Sequence, residues 1–191
     1  MKDKLLNAVQ PLLSYIDSGE FFRRPFSWLY VALAAANLLA PFYVLYQTIE
    51  SGLFKYGGAK FGFSFFLIWL FVLAACWIGA QIWWNRKDKV LETSSEGSEF
   101  SATPAFSHFL QTLGENYGTS IAIIGVGFSL IATVFLGREA GMLGARLSLP
   151  INAGISGIVL FPIIGYLVIV VSRFIAEQIR ALAAIANNTK K

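Results

Sequence analysis

Four long runs without a charged side chain dominate this chain: Trp28 to Tyr46, Phe61 to Trp84, Ile121 to Leu136 and Ile151 to Val171. A helix needs about 20 mostly apolar residues to cross a hydrocarbon core of roughly 30 Å. Lipid leaves backbone groups no partners outside the segment, so such runs become helices. The third run is short, and small residues on its flanks extend it. The runs predict an all-α, polytopic membrane protein with four transmembrane helices at 28–48, 61–84, 121–137 and 151–172. The polar gap 85–120 is too short to bury a core of its own, so 1–191 reads as a single membrane domain. Charged residues make up only 14% of the chain, against about a quarter in a soluble domain. That excludes a disordered chain and an ordinary water-soluble enzyme. The one cysteine, Cys76, lies inside the second run and reads as a small apolar filler.

Lys and Arg sort between two sides. Lys2, Lys4, Arg23 and Arg24, then Arg86, Lys87 and Lys89, then Arg173, Arg180, Lys190 and Lys191 fall on one side, eleven of fifteen. Lys55, Lys60, Arg138 and Arg146 fall on the other. The positive-inside rule then predicts N-in/C-in topology with the central loop in the cytoplasm. Arg23, Arg24, Arg86, Lys87 and Arg173 are expected against lipid headgroups, which accounts for the net charge of +4 without any nucleic acid. Arg23-Arg24-Pro25-Phe26 also has the look of a twin-arginine export signal. The run behind it is long enough to span and more spans follow, so the arginines read as orientation charges on an uncleaved anchor. Trp28 and Tyr30, Tyr43 and Tyr46, and Trp83 and Trp84 are placed at headgroup level. Trp69 and Trp77 sit deeper and are expected between helices.

Three segments are amphipathic without being long enough to span. In 1–27, Leu5, Leu6, Val9, Leu12, Leu13 and Ile16 recur at helical spacing, which predicts an interfacial helix bent at Pro11. The region 85–120 reads as a cytoplasmic linker, Ser/Glu-rich from Glu92 to Ser101, followed by a second interfacial helix carrying Phe106, Phe109, Leu110 and Leu113. In 173–191 a helical tail is expected, with Arg173, Glu177 and Arg180 pairing along one face and Ile175, Ile179, Leu182 and Ala186 on another. The first two segments share an order: Pro11, Ser14 and Gly19-Glu20 match Pro104, Ser107 and Gly114-Glu115, offset by 93 and then 95. That suggests a tandem parallel repeat, 1–91 and 101–191.

Gly19-Glu20-Phe21-Phe22-Arg23-Arg24-Pro25-Phe26 before the first span is similar to the same position in a family of small bacterial two-pass membrane proteins of unknown function. Arg173, Glu177 and Ile185-Ala186-Asn187-Asn188-Thr189 after the last span resemble that family as well. The likeness covers about forty residues at the two ends, and this chain departs from the family in having four spans and a long outer loop. It implies a bacterial inner-membrane setting and no activity.

Helices in lipid associate through close approach at small residues and through hydrogen bonds. Ala32, Ala36 and Ala40 form such a stripe in the first span. Gly125, Ser129, Thr133, Gly137 and Gly141 form a longer one in the third. The longer stripe is expected either to pack helices or to line a subunit interface or pore. Asn37 and Gln81 are the intramembrane polar groups, and a buried amide needs a partner. The spans hold no central Asp, Glu, Lys or His, which argues against an ion-coupled transporter. There is no catalytic constellation, no metal-ligand spacing and no cofactor motif; His108 stands alone. The expected function is a non-enzymatic membrane scaffold or accessory subunit acting through helix packing, as a homo-oligomer or with another membrane-protein subunit. The alternative is a homo-oligomeric channel or small transporter lined by the third span.

Overall fold

A computed structural model describes residues 20–92, 102–137 and 154–189. These form α1 (Glu20–Glu50), α2 (Leu53–Glu92), α3 (Ala102–Ile131) and α4 (Gly157–Asn188), and α3 ends in a π-helical turn at Ala132–Leu136. All four helices are long and apolar enough to cross a membrane. The protein is an all-helical, multi-pass membrane protein. At about 1.5 Å per residue each helix exceeds a hydrocarbon core of roughly 30 Å, so the ends project beyond it.

The helices run past the expected boundaries. Residues 85–92 continue α2 rather than opening a linker. Residues 102–120 are not a separate interfacial helix; they are the first half of α3, continuous with the third span. The polar face of that half is buried against neighbouring helices, so it has no need of the membrane surface. The fourth span begins later than expected, at Gly157, after a turn in which the Gly157 N–H donates to the Gly154 carbonyl. The first interfacial segment through residue 19, the linker at 93–101, and 138–153 with Arg138, Gly141 and Arg146 lie outside the described residues. The first half of the suggested repeat therefore begins outside them too.

Consecutive helices are antiparallel neighbours in an open row. α3 with α4 is the most extensive interface, followed by α1 with α2 and α2 with α3. α1 meets α3 over a short stretch, and α4 lies close to neither α1 nor α2. The α3–α4 contact is made by glycine. Gly118 and Gly165 face each other's backbone carbonyls, and Phe161 covers Gly125 while Ser172 covers Gly114. Without side chains at these points the two backbones come as near as helices can.

Two apolar clusters flank the centre of the row. Phe65, Ile68, Phe128, Ile131, Ala132, Leu136 and Phe161 fill one end. Tyr30, Ala34, Trp83 and Val90, backed by Phe26 and Phe109, fill the other. Gly137, at φ 53°, stops α3 in a conformation that a side chain disfavours.

Candidate functional site

The ionisable groups gather where α2, α3 and α4 share the end that carries Arg86. Gln111 and Glu115 are one turn apart on α3 and so share a face. The antiparallel neighbours bring Arg86 to one side of that face and Arg173 to the other. Glu115 is buried, its side chain 9% exposed. Its Oε2 receives Arg86 Nη2 at 2.5 Å. Its Oε1 receives Arg173 Nη2 at 2.8 Å and Nε at 2.9 Å, and Gln111 Nε2 at 3.1 Å. Gln111 in turn accepts from Arg180 Nη2 at 3.3 Å. One carboxylate thus ties three helices together, and each of its oxygens is compensated, as burial of a charge demands.

A second network lies beside the first. The Tyr30 hydroxyl is 2.9 Å from His108 Nδ1 and 3.3 Å from Thr112 Oγ1. Thr112 itself donates to the His108 carbonyl at 2.8 Å. Tyr30 stands edge-on to Trp83 at 4.9 Å between ring centres. Ser107 donates to the Ala176 carbonyl at 2.7 Å, binding α3 to the far part of α4. Deeper in the row, Asn37 Nδ2 donates to the Leu33 carbonyl at 2.9 Å. The side-chain oxygens of Asn37 and Asn116 converge on Gly79 from α1 and α3, in space that a Cβ would fill. Asn116 Oδ1, Trp83 Nε1 and Ser129 Oγ are buried with no hydrogen-bond partner among the described residues.

The residues singled out from sequence are scattered by the fold. Gly125 is buried beneath Phe161, and Ser129 is buried against Gly157; both belong to the α3–α4 contact. Thr133 is exposed and donates back to the Ser129 carbonyl at 2.7 Å. Gly137 is exposed at the helix stop. Ala32 and Ala36 face outward on α1, with Ala40 half-buried. Gln81 is exposed, whereas Asn37 is half-buried. Arg86 and Arg173 are turned onto Glu115. Lys87 sits over the Trp84 ring, 3.6 Å from its centre. Arg24 is exposed, and the Arg23 side chain lies outside the described part.

Two expectations are corrected. Arg173 and Arg180 do not pair with Glu177 along α4; they reach across to Glu115 and Gln111, because α3 offers a buried acceptor and Glu177 is exposed. Tyr30 and Trp83 are fully buried, each packed against the other. Trp77 is 56% exposed rather than between helices, whereas Trp69 does reach α1, donating to the Pro41 carbonyl at 2.8 Å.

The cluster's one carboxylate is bonded by two guanidiniums and an amide. Among the described residues no group of three or more His, Cys, Asp or Glu could hold a metal ion. Sequence reasoning noticed Glu115 only as half of a repeated Gly-Glu pair. A better signal was present: Ser107, Gln111 and Glu115 recur every fourth residue, a polar stripe in a helix otherwise rich in apolar side chains. No family model, no curated protein and no solved structure matches the chain.

Proposed function

We propose that this chain is a non-enzymatic membrane scaffold or accessory subunit that works through helix packing. The observation that carries this reading is the open row of helices. Among the described residues α1 packs on α2 with a short contact to α3, and α4 packs on α3 alone, so the outer flanks of α1 and α4 meet no other described helix. On α1 that flank carries Ala32 and Ala36, small residues at the spacing that lets a second backbone approach closely. The polar groups support the same reading, since Glu115, Arg86, Arg173, Tyr30, His108 and Thr112 bond chiefly to one another.

The Lys/Arg bias supports a chain with both termini and the Arg86 end in the cytoplasm. The likeness at the two ends supports a bacterial inner membrane. The other occupation of the third-span stripe, a conducting path, draws no support from the packing: Phe161 and Gly157 fill the space beside Gly125 and Ser129.

The test is native mass spectrometry of the gently extracted protein. A scaffold holds a second polypeptide or a second copy, and Ala32→Leu with Ala36→Leu weakens that association while leaving the chain folded. A bare monomer in nanodiscs drawn directly from membranes refutes the reading.

A further inference from the structure

The Arg86 end carries more cation than its own bonds use. Three guanidiniums, of Arg86, Arg173 and Arg180, stand around one carboxylate, Glu115. Arg173 presents Nε and Nη2 to Glu115, and its Nη1 has no partner among the described residues. Its side chain is 52% exposed. Among the described residues Arg180 is held by the neutral amide of Gln111. Because Gln111 bonds Glu115 directly, the two α4 guanidiniums lie side by side along the same face of α3. Lys89 also lies within electrostatic reach of His108, together with Arg86 and Arg180. The nearby carboxylates Asp88, Glu92 and Glu177 are exposed and make no bond into the cluster among the described residues.

Depth completes the picture. The uncharged part of α4 runs from Gly157 to Ser172, about 24 Å at 1.5 Å per residue. Arg173 is the first charged side chain after that run, which assigns it to the membrane-surface end of α4. Arg180 follows two turns on, and its side chain is directed to α3. The exposed edge of Arg173 and the side of Arg180 together offer fixed N–H donors beside a bonded cluster of three guanidiniums and one carboxylate, +2 before the exposed Asp88, Lys89, Glu92 and Glu177 are counted. Guanidiniums match phosphate oxygens in both geometry and charge.

We propose that Arg173 and Arg180, braced by Glu115 and Gln111, form a binding site for a dianionic phosphate group at the membrane surface. A phosphomonoester lipid headgroup and a free phosphate share that chemistry. The site ranks ligands by phosphate charge: a phosphomonoester above a phosphodiester, and both above a zwitterionic headgroup. Each cation near a membrane surface is worth about fivefold in binding of an acidic lipid.

The experiment uses the full chain, delipidated in a neutral detergent and titrated in native mass spectrometry with phosphatidic acid, phosphatidylglycerol and phosphatidylcholine. Phosphatidic acid is expected to bind at least about fivefold more tightly than phosphatidylcholine, with phosphatidylglycerol between. Arg180→Gln should lower phosphatidic acid binding about fivefold and leave thermal stability unchanged, since its bond among the described residues is to the neutral amide of Gln111. Lys60→Gln, at the opposite end, should change nothing. Inorganic phosphate and pyrophosphate form the second arm. Competition by either at concentrations near those of the lipid identifies a free anion as the occupant. Its absence identifies the headgroup. Equal binding of the three lipids, or an Arg180→Gln titration that superimposes on the wild type, overturns the proposal.

Discussion

The backbone contact between Gly118 and Gly165 makes a signed prediction. A Cβ on Gly118 meets the Gly165 carbonyl and the Ile169 side chain, and one on Gly165 meets the Gly118 carbonyl. A rotamer change cannot move a carbonyl, so α3 and α4 must separate. Overpacking of this kind costs about 1–3 kcal/mol, while Gly→Ala in a helix returns about 0.5–1 kcal/mol. Because the colliding atom is backbone, the upper end of that cost applies, and the net loss for Gly118→Ala is about 2 kcal/mol, or about 30-fold in the folding equilibrium. Gly62 supplies the opposite sign. It lies in α2, and an added Cβ meets only Phe54 Cδ1 at 3.5 Å, an ordinary contact. Gly62→Ala should stabilise by about 0.5–1 kcal/mol. The assay is reversible unfolding in mixed micelles, followed by circular dichroism or steric trapping. The Gly118→Ala, Gly165→Ala double variant should lose less than the two single losses combined, because one separation relieves both collisions. A Gly118→Ala protein as stable as the wild type, or single losses that simply add, would refute the close approach.

Four further outcomes follow from the polar networks. Glu115→Gln should destabilise by about 2 kcal/mol, below the usual range for a buried pair because Arg173 is half-exposed. Arg86→Gln should cost more than Arg173→Gln, since the Arg86 side chain is 22% exposed and that of Arg173 52%; the reverse order in the same unfolding assay counts against the bridge. Tyr30→Phe keeps the ring against Trp83 and removes the hydroxyl from His108 and Thr112, for a loss of about 1 kcal/mol; a double-mutant cycle with Thr112→Val that shows no coupling would break this assignment. Gly79→Ala should cost about 1 kcal/mol or less, because the side chains it meets can turn aside. Adding Asn116→Ala should recover part of that loss, and no recovery would mean that the two amides do not converge there.

The spans were legible because absence of charge over some twenty residues is a property of the segment alone. What lay beyond them was not, because it depends on partners in other helices. Ser107, His108, Thr112 and Glu115 make the start of α3 look like a surface segment when each is counted as polar. They are buried because Ala176, Tyr30, Arg86 and Arg173 meet them from three different helices. The same holds for the small residues. Spacing marked Gly125, Ser129 and the α1 alanines alike, yet the fold buries the first two under α4 and turns Ala32 and Ala36 outward. Which stripe is used depends on where the neighbouring helix lies, and the order of helices in an open row is not written in any one of them.

The sharing of Glu115 between α2 and α4 has a consequence for biosynthesis. The chain emerges from its N-terminus, so α1 and α2 can close as a hairpin before α3 exists. α3 then arrives with its carboxylate, and only Arg86 is there to receive it. Gly114, Gly118 and Gly125 still line an unfilled groove at that stage. Arg173 and the backbone that seats in the groove come with α4. The cluster is therefore complete only once α4 has been made, and a chain truncated before α4 would expose both an undercompensated acid and a glycine furrow. Both disappear from the surface once α4 is seated.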